Sequence, residues 1–215
     1  MDFVDPALVE VWLHGWSTAR GAPPPVPFPG GLRVDVGTPT QRVRYVLYRP
    51  HAELINHIAT AETAPGAFIK VCASAEAVAP SLPAGWMLDM QRYMMITRLD
   101  DPHQPGIHRE PRAPNQWHTA RQGQVLMAEI RDYSGSVAAK GRIALVGTHA
   151  VLDSLVTEPA HRRRGLGTAI VNRLMRAAVD AGATTGLLVA TPEGRALYAT
   201  IGWRVLTPYT SAYNG

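Results

Sequence analysis

Arg162, Gly165 and Gly167 stand in the array R-x-x-G-x-G within TEPAHRRRGLG (157–167), between a strand-like run and an amphipathic helix. A strand that enters a glycine-rich turn at a helix start leaves several backbone N–H groups unpaired and parallel, and the helix dipole adds its positive end. That arrangement is a cradle for a pyrophosphate. Glycine suits positions 165 and 167 because a phosphate must approach the backbone closely. Arg163, Arg164, Leu166 and Thr168 complete the turn and the first residues of the helix. A nucleotide-binding Walker loop would need Lys then Ser or Thr after the second glycine, and Gly167 is followed by Thr168-Ala169. A dinucleotide fold would need G-x-G-x-x-G at the helix start and an acidic residue about 20 positions on, and that spacing is absent.

The flanking elements position this turn. Residues 150–156 carry Val151, Leu152, Leu155 and Val156, which suits a buried strand, and Pro159 ends it. From Leu166 the apolar residues Ala169, Ile170, Leu174, Ala177, Ala178 and Ala181 recur at helical spacing, with Asn172, Arg173, Arg176 and Asp180 on the other face and Gly182 as the stop. TGLLVA (185–190) predicts a short apolar strand, and PEGRALYATI (192–201) a helix ending at Gly202-Trp203.

Together these residues resemble the GCN5-related N-acetyltransferase (GNAT) family, whose members carry Q/R-x-x-G-x-G/A followed by A-L-Y-x-x-x-G-F/W. The first is Arg162 to Gly167 here, and the second is Ala196-Leu197-Tyr198 with Gly202-Trp203. The resemblance covers about residues 123–207. It implies a GNAT-like α/β fold, an α+β mixed sheet that binds acyl-CoA, and an N-acetyltransferase moving acetyl from acetyl-CoA, as co-substrate, directly to a primary amine. In such enzymes the pantetheine arm adds like a strand to the fourth strand, which is Leu155-Val156-Thr157 here, and one strand N–H faces the thioester oxygen.

Tyr198 matches the family tyrosine that protonates the departing thiolate, a task for which a neutral phenol is in the right state. A packing tyrosine is the bland alternative. Many members carry a basic Glu on the fourth or fifth strand, and the fifth strand here has no carboxylate. Asp153 is then the expected base, placed by simple alternation on one face with Leu155 and Thr157. Pairing with an arginine is its alternative role, and Glu129 and His149 are weaker candidates. Thr191 lies seven residues before the tyrosine, where the family often has an Asn that touches the pantetheine. Non-catalytic acyl-CoA binding, as a sensor or interaction protein, is the rival function.

The chain has 215 residues, 46% hydrophobic and 18% charged, with a net charge of +4, which argues against disorder. The one dense cationic cluster, Arg162-Arg163-Arg164, sits at the cradle, and no basic stripe interleaved with aromatics suggests nucleic acid. With no basic, apolar leader and no apolar run near the roughly 20 residues of a membrane span, the expectation is a cytoplasmic protein without a membrane partner. A homodimer stays open. Cys72 in FIKVCA reads as a buried structural thiol.

Asp5-Pro6 predicts a helix start and Gly21 its end, followed by an extended proline-rich connector (22–31). Strands are expected at 32–36, 42–48 and 67–73, a helix at 52–61, and one longer irregular strand at 86–97. Segment 99–122 reads as a linker or loop; its His103, His108 and His118 lack acidic or cysteine company, so no metal site is expected. Strands follow at 124–131 and 136–146. The domain expectation is an N-terminal α+β region (1–98), a linker (99–122) and a GNAT-like domain (123–215). The family's first strand, two substrate-gripping helices and seventh strand are not recognisable around 123–207. Residues 1–98 could supply them, or form a degenerate second copy of the fold, which is the reading favoured.

Overall fold

A computed structural model of the chain describes residues 3–100 and 116–215. Helix α1 (Pro6–Arg20) starts where the Asp5 carboxylate accepts from Ala7 N at 2.9 Å and ends at Gly21, whose φ of 64° suits glycine. Then come β1 (Val26–Phe28), β2 (Gly31–Val34), β3 (Val43–Leu47), α2 (Ala52–Ala61), β4 (Ala67–Val71), the one-turn α3 (Ala75–Val78), β5 (Trp86–Leu88) and β6 (Arg92–Arg98). The second half comprises β7 (Gln116–Gln122), β8 (Val125–Arg131), β9 (Val137–Val146), β10 (His149–Thr157), α4 (Leu166–Asp180), β11 (Thr185–Ala190), α5 (Pro192–Ala199) and β12 (Arg204–Asn214).

The two halves repeat one pattern. In each, a strand, a crossover helix and a parallel strand (β3-α2-β4; β10-α4-β11) lead to a short helix and another strand. The fold is a mixed α/β sheet in which the N-terminal half reads as a second copy of the C-terminal order. The sheet runs continuously as β1-β2-β3-β4-β12-β6-β11-β10-β9-β8-β7, with β5 also on β12.

The halves exchange strands. Strand β6, from the N-terminal half, lies between β11 and the first part of β12, pairing Leu188 with Met95 and Val205 with Met95 on its two edges. In return the last part of β12 lies between β4 and β5, pairing Ser211 with Lys70 and Ala212 with both Ile69 and Leu88. The seventh strand missing from 123–207 is thus supplied from the N-terminal half.

Three expectations change. The proline-rich stretch contains β1, an edge strand paired only with β2, the position in a sheet that tolerates proline. The strand expected at 86–97 is two strands with different neighbours, broken at 89–91. The end of the expected linker is β7, a hairpin with β8 that carries His118; His103 and His108 lie outside the described residues.

Helix α1 covers β9 and β10 on the face opposite α4. Its core joins both halves: Trp12, Leu13 and Trp16 pack with Val46 and Cys72, and with Met94, Val151, Leu187 and Tyr209. Burial lifts the Cys72 thiol to about 12, as expected for a structural residue. Gly15 permits the close approach, since a Cβ there would lie 2.4 Å from Val151 Cγ2. Gly15→Ala should therefore cost about 1–3 kcal/mol, measured by denaturant unfolding, despite the better helix propensity of alanine. Among the described residues no helix is long and apolar enough to cross a membrane.

Candidate functional site

Strands β10 and β11 pair only from His149–Thr185 to Val151–Leu187, and then part. Beyond that point β10 keeps β9 on one side, and β11 keeps β6, so two strand edges face each other across a gap. The parting coincides with a bulge in β10, where the register against β9 shifts between Asp153 and Val156 and Ser154 takes φ 56°. Among the described residues the non-glycine residues at positive φ are Ser154, at the bulge, and Arg163, in the glycine-rich turn. Such conformations persist only where surrounding structure enforces them, and they concentrate at functional sites.

The bulge also corrects the expected facing of Asp153. Asp153 points to the α1 side, while Leu155 and Thr157 turn to the α4 side, where a Cβ at Gly167 would lie 3.3 Å from Thr157 Oγ1 and 4.0 Å from Leu155 Cδ2. One inserted residue reverses the alternation on which the shared face depended. Asp153 accepts from Arg20 Nε at 2.9 Å and Nη2 at 3.0 Å, and from Ser154 Oγ at 2.6 Å. Arg20 thus engages both oxygens, and a proton taken up by Asp153 weakens a two-point ion pair. Glu129 pairs with Arg131, and His149 sits at the closed end of the β10–β11 gap.

The gap opens into a cleft of about 460 Å³, lined from the C-terminal half by residues 152–155, by residues 188–191, and by Gly194 and Tyr198. Tyr198 is buried against Trp203, with ring centroids 5.6 Å apart, and its hydroxyl bonds to no described residue. Burial first, and the Asp153 charge second, hold its phenol above the usual range, so it stays protonated at neutral pH. Thr191 caps α5 by accepting from Gly194 N at 3.1 Å, which leaves its hydroxyl proton available toward the cleft.

At the other end of β10 the turn 162–168 leads into α4. Gly165 is the N-cap at φ 75°, and no side chain caps the helix. The backbone N–H groups of Arg163, Arg164, Gly165, Leu166, Gly167 and Thr168 make no hydrogen bond to any described residue. A Cβ at Gly165 would meet nothing within 4 Å, whereas Gly167 lies against Thr157, Leu197 and Leu155. Gly165 thus leaves room for a ligand, and Gly167 lets α4 close on β10. Arg162 donates Nε to Thr157 O at 3.3 Å, which ties the turn to the strand end.

Tyr209 of β12 and, from the N-terminal half, Trp12, Trp16, Arg20, Gln41, Arg44, Phe68, Lys70, Asp89 and Arg92 line the rest of the cleft. Sequence reasoning missed these residues. A signal existed, because Arg44 interrupts VRYVL and Lys70 interrupts AFIKV, each a lone cation in a strand that is otherwise apolar or aromatic.

The model of the acetyltransferase (GNAT) family matches residues 92–203, a span that opens with the exchanged strand β6. Among solved structures, a GCN5-related N-acetyltransferase from Kribbella flavida shares the fold at TM-score 0.61 and 14% identity, over 93% of this chain and 94% of that one. One from Sphaerobacter thermophilus gives 0.60 and 13%, over 86% and 76%. A tandem GNAT protein from the clavulanic acid biosynthesis pathway gives 0.57 and 12%, over 86% and 79%. At such identities the likeness is one of fold. No curated protein matches the sequence.

Proposed function

Because the chain belongs to the acetyltransferase (GNAT) family, we propose that it transfers acetyl from acetyl-CoA directly to a primary amine, in the cleft where β10 and β11 part. The observation that carries this reading is the parting itself. It gives two open strand edges that begin near the unpaired N–H groups of the turn and end beside a buried, protonated phenol. Acetyl-CoA would supply the activated thioester. Residues 162–168 would hold its pyrophosphate, with Arg162, Arg163 and Arg164 contributing charge, and Leu155, Val156 and Thr157 would offer their edge to its pantetheine arm. Thr191 would donate its hydroxyl to the same arm. Residues 1–98 and 123–215 would then be two copies of one fold, of which the second holds the acetyl donor.

Tyr198 would give its proton to the leaving thiolate. Asp153, the carboxylate at the parting, would take the proton of the amine after releasing Arg20; Asp89, also in the cleft, belongs to the far wall and pairs with Arg92. If so, Asp153→Asn should flatten the rising limb of the pH–rate profile and leave coenzyme A affinity unchanged. A profile of unchanged shape would leave Asp153 only the task of holding Arg20. The same ion pair is the observation that favours the rival reading, binding of acyl-CoA without transfer.

Calorimetric titration with coenzyme A tests the donor site. Gly165→Val should weaken binding by at least about tenfold, because its side chain enters the space a phosphate needs. Gly135, in the β8–β9 turn, also has positive φ (83°) and open surroundings, so Gly135→Val imposes comparable backbone strain away from the site. Equal affinities in the wild type and both variants would remove the phosphate assignment.

A further inference from the structure

The cleft wall made by the N-terminal half buries two basic side chains that pair with no carboxylate among the described residues. Four basic side chains line the cleft, Arg20, Arg44, Lys70 and Arg92. Arg20 pairs with Asp153 and Arg92 with Asp89, whereas no carboxylate among the described residues lies within ion-pair distance of Arg44 or Lys70. Both are 7% exposed. Arg44 stacks 3.7 Å from the Trp16 ring centroid and donates Nη2 to Gln41 Oε1 at 3.0 Å, and its buried Nε has no partner. Lys70 Nζ lies 2.5 Å from Ser211 Oγ and 4.6 Å from the Phe68 ring centroid. Two more buried polar atoms of cleft residues also lack a partner, Gln41 Nε2 and the Tyr209 hydroxyl. All three orphaned groups can donate a hydrogen bond.

A buried cation without a counter-charge is costly, and natural proteins rarely keep one unless something pairs with it. The strain registers in both groups. Burial lowers Arg44 to about 10, so it stays charged, and burial, followed by the charges of Arg44 and Arg92, lowers Lys70 to about 6, so that Lys70 rests mostly as a neutral amine at pH 7 and takes up a proton when an anion binds beside it. The residues that carry these orphaned donors and unpaired basic groups line the same cleft that Tyr198 and residues 152–155 and 188–191 line from the other side.

We propose that Arg44 and Lys70, with Gln41 and Tyr209, form an oxyanion subsite, so that the acceptor amine carries its own acidic group, a carboxylate or a phosphate. This rests on the acetyl-transfer reading above for the amine end of the acceptor, and on the cleft alone for the acidic end. The aromatic wall of Trp12, Trp16 and Phe68 excludes water around the acid and strengthens its pairing. Selectivity then comes from both directions. An acidic amine completes the buried cations, while a neutral amine of the same shape leaves them unpaired.

The test has two arms on the full chain. In the binding arm, thermal unfolding is followed with succinate or with inorganic phosphate, for the wild type, Arg44→Met and Lys70→Met. The expected result is a rise of the wild-type midpoint with one of the two anions, which identifies the acid, and loss of that rise in both variants. No rise with either anion, or a rise retained in both variants, overturns the subsite. If Arg44→Met does not fold, Lys70→Met decides. In the transfer arm, amino acids are compared with their amides, and phosphoethanolamine with ethanolamine. The acidic member of one pair should be acetylated at least about tenfold more efficiently, and Arg44→Met should erase that preference with coenzyme A affinity intact. Equal or better use of neutral amines contradicts the proposal. Absence of transfer to every amine, alongside anion protection lost in the variants, would instead refute the transfer reading and leave the subsite standing.

Discussion

Tyr198→Phe is expected to reduce turnover by roughly 10- to 1,000-fold while leaving coenzyme A affinity and thermal stability close to wild type. The ring that packs against Trp203 is kept, and the hydroxyl that is lost bonds to no described residue, so folding has little to lose. Burial keeps that phenol protonated at neutral pH, which is the state needed to meet a departing thiolate. A tyrosine present for packing alone gives the same stability result with turnover preserved. Measuring unfolding and turnover on one preparation separates the two, and near-wild-type turnover removes Tyr198 from the mechanism.

Deletion of residues 210–215 should abolish the cooperative unfolding transition of the whole chain, although it touches no residue of the proposed donor site. Those residues include Thr210, Ser211 and Ala212, all at most 1% exposed, and they fill the slot between β4 and β5. Asn214 adds its own closures: its side chain accepts from Ala67 N at 2.8 Å and donates to Glu62 O at 2.7 Å and Ala64 O at 2.9 Å. Losing this strand opens the N-terminal sheet, and with it the core that α1 shares between the halves. A milder Asn214→Ala should cost about 1–3 kcal/mol, since the part-buried bonds to Ala67 N and Glu62 O are lost. If the deletion variant melts with the wild-type midpoint in circular dichroism, the halves do not depend on their exchanged strands.

The proposed donor site was legible because its signals are local. Arg162, Gly165 and Gly167 fall within one turn, and Ala196, Leu197 and Tyr198 within another, so residue type and spacing suffice. The bulge was not legible: nothing in Asp153-Ser154-Leu155 announces a residue at φ 56°, and strict alternation put Asp153 on the wrong face. Pairing across the halves was hidden as well. Pro208 in β12 suggests the end of a strand, yet it sits two residues before Thr210, where the strand changes partner from β6 to β4. Helix α1 and strands β2, β3 and β4 were foreseen as elements, but their placement depends on contacts more than a hundred residues apart, such as Arg20 with Asp153. For the same reason Arg44 and Lys70 were missed in the sequence, and only the assembled cleft brings them together.

Release of free coenzyme A thiol from acetyl-CoA in the presence and absence of amines tests acetyl transfer most directly. Little release is expected without an amine, and with an accepted amine the release should match N-acetylated product one for one. Coenzyme A that binds to the 162–168 turn with no amine-dependent release across acidic and neutral amines would contradict it, and would make the protein a binder of acyl-CoA.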